Sequence, residues 1–413
     1  MPTTPTLAIV GASLAGTSAA TTARATGFEG RIVLVGDEPG LPYERPPLSK
    51  AVLRDEAGPE SADLHGEDHY ADQQIDLLPG RTVDALDLDT RAIVLDGDER
   101  IECSSIVIAT GSAPRRLTIP GAELDGVHHL RTRRDALRLR DALRPGTRGA
   151  VIGAGWIGTE VAASARQVGA EVVLVDPAPV PLQRVLGDTI GRVFAALHAD
   201  HGVTLRLGTG VTSLTGTGEV ERVVLSDGST EAVDLVVVGI GVTPRTELAE
   251  GAGLAVADGI VVDSHLRTAA PGVYAVGDVA SAWHPHYRRH LRVEHWANAL
   301  NQGATAGANA AGADHVYDRI PYFFSDQYDL GMEYVGLGRP DDQLTVRGDL
   351  AGRRFIAFWH RDGIVTAAMN VNVWDVVDDL RSLVAGRAVA DTARLADEDV
   401  PLGDLLVTTD RAR

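Results

Sequence analysis

Cysteine is almost absent from this sequence, because the 413 residues contain only Cys103. A single thiol cannot form an intramolecular disulfide, a CxxC redox pair or a four-cysteine iron–sulfur site. Any iron–sulfur centre that serves this protein is therefore expected on a partner. Cys103 itself precedes the apolar run Ile106–Ile108, so we expect it to be a buried structural residue.

Long hydrophobic runs are also missing. No stretch of about 18 apolar residues occurs, so no segment is expected to span a membrane. The few polar residues before the strand-like run at Leu7 leave no room for a signal peptide, and we expect a cytoplasmic protein. The 413 residues suit two or three domains, and their 44% hydrophobic content is typical of packed globular ones.

Basic residues are in deficit, with 38 Lys and Arg against 57 Asp and Glu and a net charge of −19. This charge argues against nucleic acid as a partner, since phosphate binding needs a basic surface. No metal site is predicted.

One pattern occurs twice in the chain. The first copy starts with the apolar strand Leu7–Val10, passes through the small-residue turn Gly11–Gly16 into an alanine-rich helix, and reaches Asp37 after a second strand. The second copy passes through Gly153–Gly158 and reaches Asp176, 23 positions after its first glycine. The repeat indicates two units of the same architecture. The two helices are expected at Thr17–Thr26 and Thr159–Val168.

Such turns are typical of dinucleotide sites. The first glycine allows the tight turn, the second lets the backbone approach a pyrophosphate, and the third lets helix and strand pack closely. The pyrophosphate then lies at the helix N-terminus, and the acid after the second strand accepts hydrogen bonds from a ribose. The second copy is complete, whereas the first has Ser13 in place of the middle glycine. One such turn can serve packing alone, but two copies predict two dinucleotide sites.

Asp176 also selects the nucleotide. A carboxylate accepts hydrogen bonds from a free ribose 2′-hydroxyl and repels a 2′-phosphate. No arginine occurs in residues 177–183, and Arg184 is the first basic residue after the acid. We therefore expect NADH rather than NADPH.

Further motifs accompany the two glycine turns. In chain order the full set is Gly11–Gly16, Arg45–Lys50, Ile108–Gly111, Gly153–Glu160, Gly239–Pro244, Tyr274–Asp278, Glu294–Ala299 and Tyr322–Gln327. These ordered motifs resemble the FAD-dependent, NADH-using ferredoxin reductases of oxygenase systems, the putidaredoxin reductase-like family, and the resemblance extends from Ile9 to about Leu402.

The resemblance implies an α/β fold with two Rossmann-like dinucleotide-binding domains of the glutathione-reductase type and a C-terminal α+β domain. The expected segments are an FAD-binding domain at 1–114 and 243–319, an NAD-binding domain at 115–242 and a C-terminal domain at 320–413. Nine of the 19 aromatic residues fall between Tyr322 and Trp374, which independently suggests a separate C-terminal core.

The resemblance also implies the cofactor-binding residues. For FAD they are Gly11, Ser13, Ala15, Gly16, Asp37, Arg45, Pro46, Lys50, Val83, Ala109, Thr110, Gly111, Arg131, Gly277, Asp278, Glu294, His295 and Trp296. For NADH they are Gly153, Gly155, Trp156, Ile157, Gly158, Glu160, Asp176, Arg184, Ile240 and Gly241.

Several of these assignments have alternatives. Asp278 is expected at the ribityl chain of FAD, or else it is a helix cap. Asp37 is expected at the adenosine ribose, although the neighbouring Glu38 can take that role. Arg131 can be an ordinary solvated charge. Trp296, expected at the start of a helix beside the flavin, can instead be a packing residue at a domain boundary.

Lys50 and Glu160 are the candidate catalytic pair. The family places them together beside flavin N5, where the lysine stabilises reduced flavin and helps orient nicotinamide. A plain interdomain salt bridge is the alternative. Lys50 is expected to begin a helix after a proline-stiffened loop.

The implied reaction is hydride transfer from NADH to FAD, followed by single-electron transfer to a [2Fe–2S] ferredoxin that serves a cytochrome P450 or a Rieske oxygenase. The alternatives on the same fold are an NADH oxidase or disulfide reductase, a nitrite or rubredoxin reductase, and an FAD- and NADH-binding interaction protein like the apoptosis-inducing-factor relatives. A disulfide reductase needs a redox thiol beside the flavin, and only Cys103 is present.

The partner is expected at a basic segment. Residues 284–292 contain Arg288, Arg289 and Arg292 and no acid, so they are the candidate docking patch for an acidic ferredoxin. The family often has tryptophan where this chain has Tyr322 and Phe324, and the absence of both indoles argues against a tryptophan-mediated electron exit.

Overall fold

The computed structural model describes residues 5–406, which divide into two compact units. The first unit contains the chain up to Glu44, Ala62–Ala113 and Val242–Pro321. The second contains Arg45–Ser61, Pro114–Gly241 and the chain from Tyr322 onward. The four-segment domain division expected from the sequence stays a prediction.

In chain order, the strands are β1 Thr6–Val10, β2 Arg31–Gly36, β3 Ile75–Pro79, β4 Val83–Asp87, β5 Ala92–Leu95, β6 Glu99–Glu102, β7 Ser105–Ile108, β8 Ser112–Pro114, β9 Val127–His129, β10 Arg148–Ile152, β11 Glu171–Asp176, β12 Thr204–Leu207, β13 Val211–Thr215, β14 Arg222–Leu225, β15 Thr230–Ala232, β16 Leu235–Val238, β17 Val242–Pro244, β18 Ile260–Val262, β19 Val273–Ala275, β20 Ala280–His284, β21 Arg289–Leu291, β22 Tyr322–Gln327, β23 Leu330–Gly336, β24 Gln343–Asp349, β25 Arg354–Arg361 and β26 Ile364–Val371.

The α-helices are α1 Leu14–Ala25, α2 Glu67–Asp72, α3 Arg133–Ala142, α4 Trp156–Gln167, α5 Gln183–Asp200, α6 Glu247–Gly251, α7 Trp296–Ala310, α8 Val377–Ala385 and α9 Thr392–Ala396. Short 3-10 helices lie at Pro46–Ser49, Pro59–Ala62, Gly277–Val279 and Leu402–Leu405.

The first unit is built on a parallel sheet with the strand order β19-β7-β1-β2-β3. Its central strands are buried apolar runs, such as residues 7–10 of β1, as expected for a parallel sheet that is covered on both faces. Helix α1 follows β1 directly and packs against α7. The turn between β1 and α1 therefore lies at the carboxyl end of a central strand, where ligands of open α/β sheets bind.

The second unit repeats this plan in the parallel sheet β12-β11-β10-β16-β9. Strand β10 leads into α4 as β1 leads into α1. The predicted α/β class with two Rossmann-like sheets is therefore confirmed. Both helices begin three residues earlier than predicted, at Leu14 and Trp156, because the first turn of each helix already includes the end of the glycine motif.

The aromatic C-terminal segment folds into the antiparallel sheet β22-β23-β26-β25-β24. One apolar face of it, including Phe323, Tyr334 and Trp359, shares a hydrophobic cluster with Ile190 and Phe194 of α5. The core of this segment is distinct from the clusters of the two parallel sheets, as the aromatic composition suggested, but it also includes α5. The face needs an apolar partner, and α5 supplies it from the middle of the chain.

Within residues 5–406, none of the helices combines the length and the apolar character that crossing a bilayer requires.

We expect Phe194→Ala to lower the free energy of unfolding by about 3–5 kcal/mol, the usual cost of removing a buried phenylalanine ring. Phe194 is fully buried and meets Trp156 edge to face, with ring centroids 6.0 Å apart. Urea unfolding followed by circular dichroism measures the loss. The exposed Val316 gives the control, since Val316→Ala should change stability by less than about 0.5 kcal/mol. A loss under about 1 kcal/mol for Phe194→Ala would contradict the shared core.

Candidate functional site

The first glycine turn has no room for side chains at its two end glycines. Gly11 has a φ of +116°, and a Cβ there would lie 2.2 Å from the Ala109 carbonyl oxygen. A Cβ on Gly16 would lie 1.9 Å from the Gly11 carbonyl oxygen. Ser13 is the N-cap of α1, yet its hydroxyl donates to the Tyr43 carbonyl at 3.2 Å and does not cap the helix. The first N–H groups of α1 therefore lack a side-chain cap, which is the state that anion binding requires.

The second glycine turn is equally tight at its ends and open in its middle. A Cβ on Gly153 would lie 2.3 Å from the Gly239 carbonyl oxygen, and one on Gly158 would lie 1.9 Å from the Gly153 carbonyl oxygen. In contrast, a Cβ on Gly155 would meet nothing within 4 Å. Gly155 is the N-cap of α4 and offers no side-chain cap. The turn thus has the close helix–strand packing and the open middle that a pyrophosphate site needs.

The acid at the end of β11 is anchored by the backbone. The two carboxylate oxygens of Asp176 accept hydrogen bonds from the amides of Ala154 and Ala178, each at 2.7 Å. The Ala154 amide belongs to the glycine turn, so the carboxylate is held beside that turn. Each oxygen keeps a further lone pair that can accept from a ribose hydroxyl.

The two acids after β2 differ in their partners. Asp37 forms an exposed ion pair with Arg245, at 2.8 Å between Nη1 and Oδ2. Glu38 accepts a hydrogen bond from the Tyr43 hydroxyl. Asp37 is thus the more exposed of the two at the end of the strand, as a ribose ligand must be.

Asp278 does not cap a helix. It lies inside the 3-10 helix Gly277–Val279, whose N-cap is Val276, and its Oδ2 accepts from the Ser112 hydroxyl at 2.8 Å. The amide of Gly277, where φ is +75°, donates to Gln302 Oε1 at 2.9 Å. Gln302 was not found by sequence reasoning. It is a buried amide on α7, as are Asn298 and Asn309, and its residue type alone gives no signal for the site.

The segment before α7 is held by polar contacts. Trp296 is the first residue of α7, and its indole N–H donates to Glu44 Oε2 at 2.7 Å. His295 is the N-cap. The exposed Glu294 pairs with Arg292. These contacts place a helix N-terminus and an indole at one end of the first unit.

Lys50 and Glu160 are brought together inside the second unit. Lys50 Nζ lies 2.7 Å from Glu160 Oε2, and only 14% and 6% of the two side chains are exposed. The Ser49 hydroxyl donates to the same oxygen at 2.5 Å. Lys50 does not begin a helix as expected; it ends the 3-10 helix Pro46–Ser49, because the two prolines favour the first positions of that helix.

Lys50 is also the only lysine in the chain, since the other 37 of the 38 basic residues are arginine. The use of lysine at this one position is visible in the sequence and indicates a specific role for the residue. An arginine presents a planar fork, whereas an ammonium group is a compact point charge that one carboxylate oxygen can hold.

The other predicted site residues have these positions. In the first unit, Ala15 is buried on α1, Val83 and Ala109 are buried, Thr110 Oγ1 donates to the Arg245 carbonyl at 2.8 Å, and Gly111 has a φ of +69°. In the second unit, Pro46 starts a 3-10 helix, Arg45 donates to the Arg131 carbonyl, Arg184 is exposed on α5, and Gly241 has a φ of +98°.

The apolar residues predicted at the NADH site differ in exposure. Ile157 and Ile240 are both exposed to solvent, which is unusual for isoleucine and leaves apolar surface for a ligand. Trp156 instead packs edge to face against Phe323, with ring centroids 4.8 Å apart. The Trp156 side chain therefore contributes to the shared core, and only its backbone belongs to the turn.

The candidate docking patch is smaller than expected. Arg292 is mostly buried, with Nε 2.9 Å from Asp258 Oδ1 and a second ion pair to Glu294. Its charge is thus neutralised locally. Arg288 and Arg289 remain exposed on the β20–β21 hairpin, which also carries the exposed Trp283.

Tyr322 and Phe324 lie on β22, which also carries Asp326. The Tyr322 hydroxyl donates to Glu333 Oε1 at 2.8 Å, and burial, together with this contact, raises the pKa of the phenol. Burial also raises the pKa of Asp326, and the Lys50 charge opposes this shift.

Cys103 is buried, as predicted. Its Sγ donates to the Arg91 carbonyl at 3.3 Å, and burial raises the pKa of the thiol to about 11. At neutral pH the group is a thiol and not a nucleophilic thiolate. Over residues 5–406, no group of three or more His, Cys, Asp or Glu side chains could hold a metal ion.

Comparison with known proteins identifies the family. Residues 5–303 match the pyridine nucleotide-disulphide oxidoreductase family, and residues 322–406 match the reductase C-terminal family. The chain is 39% identical over 402 residues to the ferredoxin–NAD(+) reductase component of the anthranilate 1,2-dioxygenase system of Burkholderia cepacia, covering 96% of this chain and 98% of that protein. It is 37% identical over 404 residues to putidaredoxin reductase of Pseudomonas putida, covering 96% of each.

A solved structure agrees with these relatives. The covalent putidaredoxin reductase–putidaredoxin complex matches with a TM-score of 0.94 and 37% identity over 98% of both chains. The resemblance seen in the motifs is thereby confirmed. The chain belongs to the pyridine nucleotide-disulphide oxidoreductase family, among the ferredoxin reductases that resemble putidaredoxin reductase.

Proposed function

We propose that the protein is an FAD-dependent NADH:ferredoxin reductase that passes electrons to a [2Fe–2S] ferredoxin of an oxygenase system. Its relatives carry that activity in their names, and they match nearly end to end, including the C-terminal segment. The terminal oxygenase is a cytochrome P450 or a Rieske enzyme. We further propose a cytoplasmic location.

The state of the only thiol is the observation that carries this proposal. Disulfide reductases of the same fold need a reactive thiolate, but Cys103 is buried and its pKa is raised to about 11. No thiol in the chain is suited to that chemistry. Reduction of an external one-electron carrier, in contrast, needs no thiol.

The residues of the first unit fit FAD. The uncapped N-terminus of α1 and the Gly11–Gly16 turn suit its pyrophosphate, Asp37 its adenosine ribose, and Asp278 its ribityl chain. The N-terminus of α7 provides positive potential for the pyrimidine end of the flavin ring. The chemistry that bound FAD supplies is acceptance of two electrons from NADH and their release one at a time.

The second glycine turn fits NADH. The N-terminus of α4 suits the pyrophosphate, the anchored Asp176 binds the adenosine ribose, and the exposed Ile157 and Ile240 provide apolar contacts. Asp176 discriminates against NADPH because its charge repels a 2′-phosphate.

Lys50 supplies a fixed positive charge. Glu160 and Ser49 hold its ammonium group in a site that excludes most water, where electrostatic interactions are strong. We propose that this charge stabilises the negative charge that accumulates during flavin reduction and helps orient nicotinamide. Neither side chain needs to transfer a proton in this role.

We expect the double variant Asp176→Ser/Pro177→Arg to lose its preference for NADH over NADPH. Pro177 is exposed next to the acid, and serine retains an oxygen that can accept one backbone hydrogen bond. The ratio of kcat/KM for NADH to that for NADPH should fall about 100-fold or more, because a hydrogen bond to a charged group and a repulsion are both removed. Pro177→Arg alone is the control and should retain the NADH preference. A wild-type enzyme that prefers NADPH would show our assignment of Asp176 to be wrong.

We expect Lys50→Met to retain FAD and to slow flavin reduction by NADH about 10- to 100-fold in stopped-flow measurements, since a positioned charge is removed. Because the variant leaves Glu160 buried without its partner, Lys50→Met/Glu160→Gln should be measured beside it. Arg192→Met is the matched control, as it breaks an exposed ion pair with Asp188 in the same unit. An unchanged reduction rate in Lys50→Met would assign the pair a structural role.

The function itself is tested by following NADH-driven reduction of [2Fe–2S] ferredoxins by the purified protein. We expect rapid ferredoxin turnover, and failure with a panel of such ferredoxins would overturn the proposal.

The charge reversals Arg288→Glu and Arg289→Glu together should raise the KM for ferredoxin about 10-fold at low ionic strength, because steering by exposed charges is lost. Ferricyanide reduction needs no docking and should stay unchanged.

The outcomes of the charge-reversal test separate three cases. A change in the ferredoxin KM alone supports docking at the β20–β21 hairpin. Loss of ferredoxin and ferricyanide reduction together would show that the hairpin supports the flavin site instead. No change in either activity would place the docking surface elsewhere.

A further inference from the structure

We propose that Ser325 and Gln327 of the C-terminal segment are positioning residues for the reaction, because they fix the Glu160 carboxylate and, through it, the Lys50 ammonium. The inference rests on the proposed role of Lys50 in flavin reduction. It assigns the strand β22, in the region matched to the reductase C-terminal family, a part in the site that the nucleotide-binding turns do not supply.

The carboxylate of Glu160 is held from two sides. Its Oε2 accepts from Ser49 and Lys50, both in residues 45–61. Its Oε1 accepts from the Ser325 hydroxyl at 2.7 Å. Since the side chain is almost fully buried, no bulk water is available to replace Ser325. Without that donor, one carboxylate oxygen would be unsatisfied and free to rotate away from Lys50.

Gln327 determines which way the Ser325 hydroxyl points. The Nε2 of Gln327 donates to Ser325 Oγ at 3.3 Å and to Thr159 Oγ1 at 2.9 Å. Because Ser325 Oγ accepts from Gln327, its own hydrogen is directed to Glu160. Thr159 precedes Glu160 on α4, so Gln327 also ties β22 to the helix that carries the carboxylate.

His198 fixes the amide of Gln327 in turn. His198 is fully buried, and this burial lowers its pKa to about 4, so the ring is neutral near pH 7. Its Nε2 lies 3.0 Å from Gln327 Oε1 and its Nδ1 lies 3.2 Å from the Tyr328 hydroxyl. Since the Gln327 amide nitrogen is already used, Nε2 carries the hydrogen and Nδ1 accepts from Tyr328.

Every hydrogen bond in this series therefore donates toward Glu160. The order is Tyr328 to His198, His198 to Gln327, Gln327 to Ser325 and Ser325 to the carboxylate. Bonds aligned in one direction polarise and strengthen one another in a medium of low dielectric constant. The series ends on Glu160, the carboxylate that holds Lys50, and this is why we assign it a part in the reaction.

The single lysine makes the proposal testable without turnover. An amine-acylating reagent can modify only Lys50 and the N-terminal amine, so mass spectrometry reports the labelling rate of Lys50 directly. Loosening Glu160 should release the ammonium and raise that rate. For Ser325→Ala in the FAD-loaded enzyme without NADH, we expect labelling about 3- to 10-fold faster than in the wild type, the range that loss of one hydrogen bond implies.

The same variants should slow the chemical step. We expect Ser325→Ala and Gln327→Leu to lower the rate of flavin reduction at saturating NADH about 3- to 10-fold, with little change in the Kd for NADH. Ser325→Thr retains the hydroxyl and should recover both readouts. Thr345→Val is the matched control, as it removes a buried hydroxyl that bonds to His360 at 3.0 Å elsewhere in the same sheet.

An unchanged labelling rate of Lys50 in Ser325→Ala would overturn the proposal. So would a rise in the Lys50 labelling rate of Thr345→Val that equals the rise in Ser325→Ala. Faster labelling with an unchanged reduction rate would overturn it too, since the position of Lys50 would then not matter to the reaction. The labelling readout requires no ferredoxin. Failure of the wild type to reduce ferredoxin therefore counts against the proposed function alone.

Discussion

The buried ion pair between Lys50 and Glu160 is the interaction on which the rest of the site depends. Removing two charges from water costs several kcal/mol each, and Coulomb attraction offsets this only where geometry and further hydrogen bonds are favourable. Ser49 and Ser325 provide those bonds. The pair therefore requires segments that are far apart in the chain to meet at one carboxylate, and residues 45–61 and the C-terminal sheet do belong to the same compact unit as α4.

Much of the fold and part of the site followed from local rules. Glycine spacing predicted both turns, because a Cβ at Gly16 or Gly158 would collide with backbone. Apolar runs predicted the parallel strands. The Lys50–Glu160 pair was predicted from the resemblance alone, since the two residues lie far apart in the chain. For the turns and the strands, the physical cause lies within a few residues of the signal.

The remainder depended on partners that are distant in the chain. Arg292 reads as a docking charge in the sequence, yet Asp258 neutralises it from 34 positions away. The aromatic C-terminal segment reads as a self-sufficient core, but its apolar face is covered by α5. Ser325 and Gln327 carry no chemical signal of their own, since serine and glutamine are common in strands and matter here only through Glu160.

The hydrophobic core that α5 shares with the C-terminal sheet also limits where the protein can be truncated. A chain that stops before β22 would leave the buried face of α5, including Leu186, Ile190 and Phe194, without its cover. An exposed apolar face of that kind promotes aggregation. We therefore expect a fragment that lacks the C-terminal sheet to aggregate, whereas a truncation or fusion that keeps this sheet retains the cover of α5.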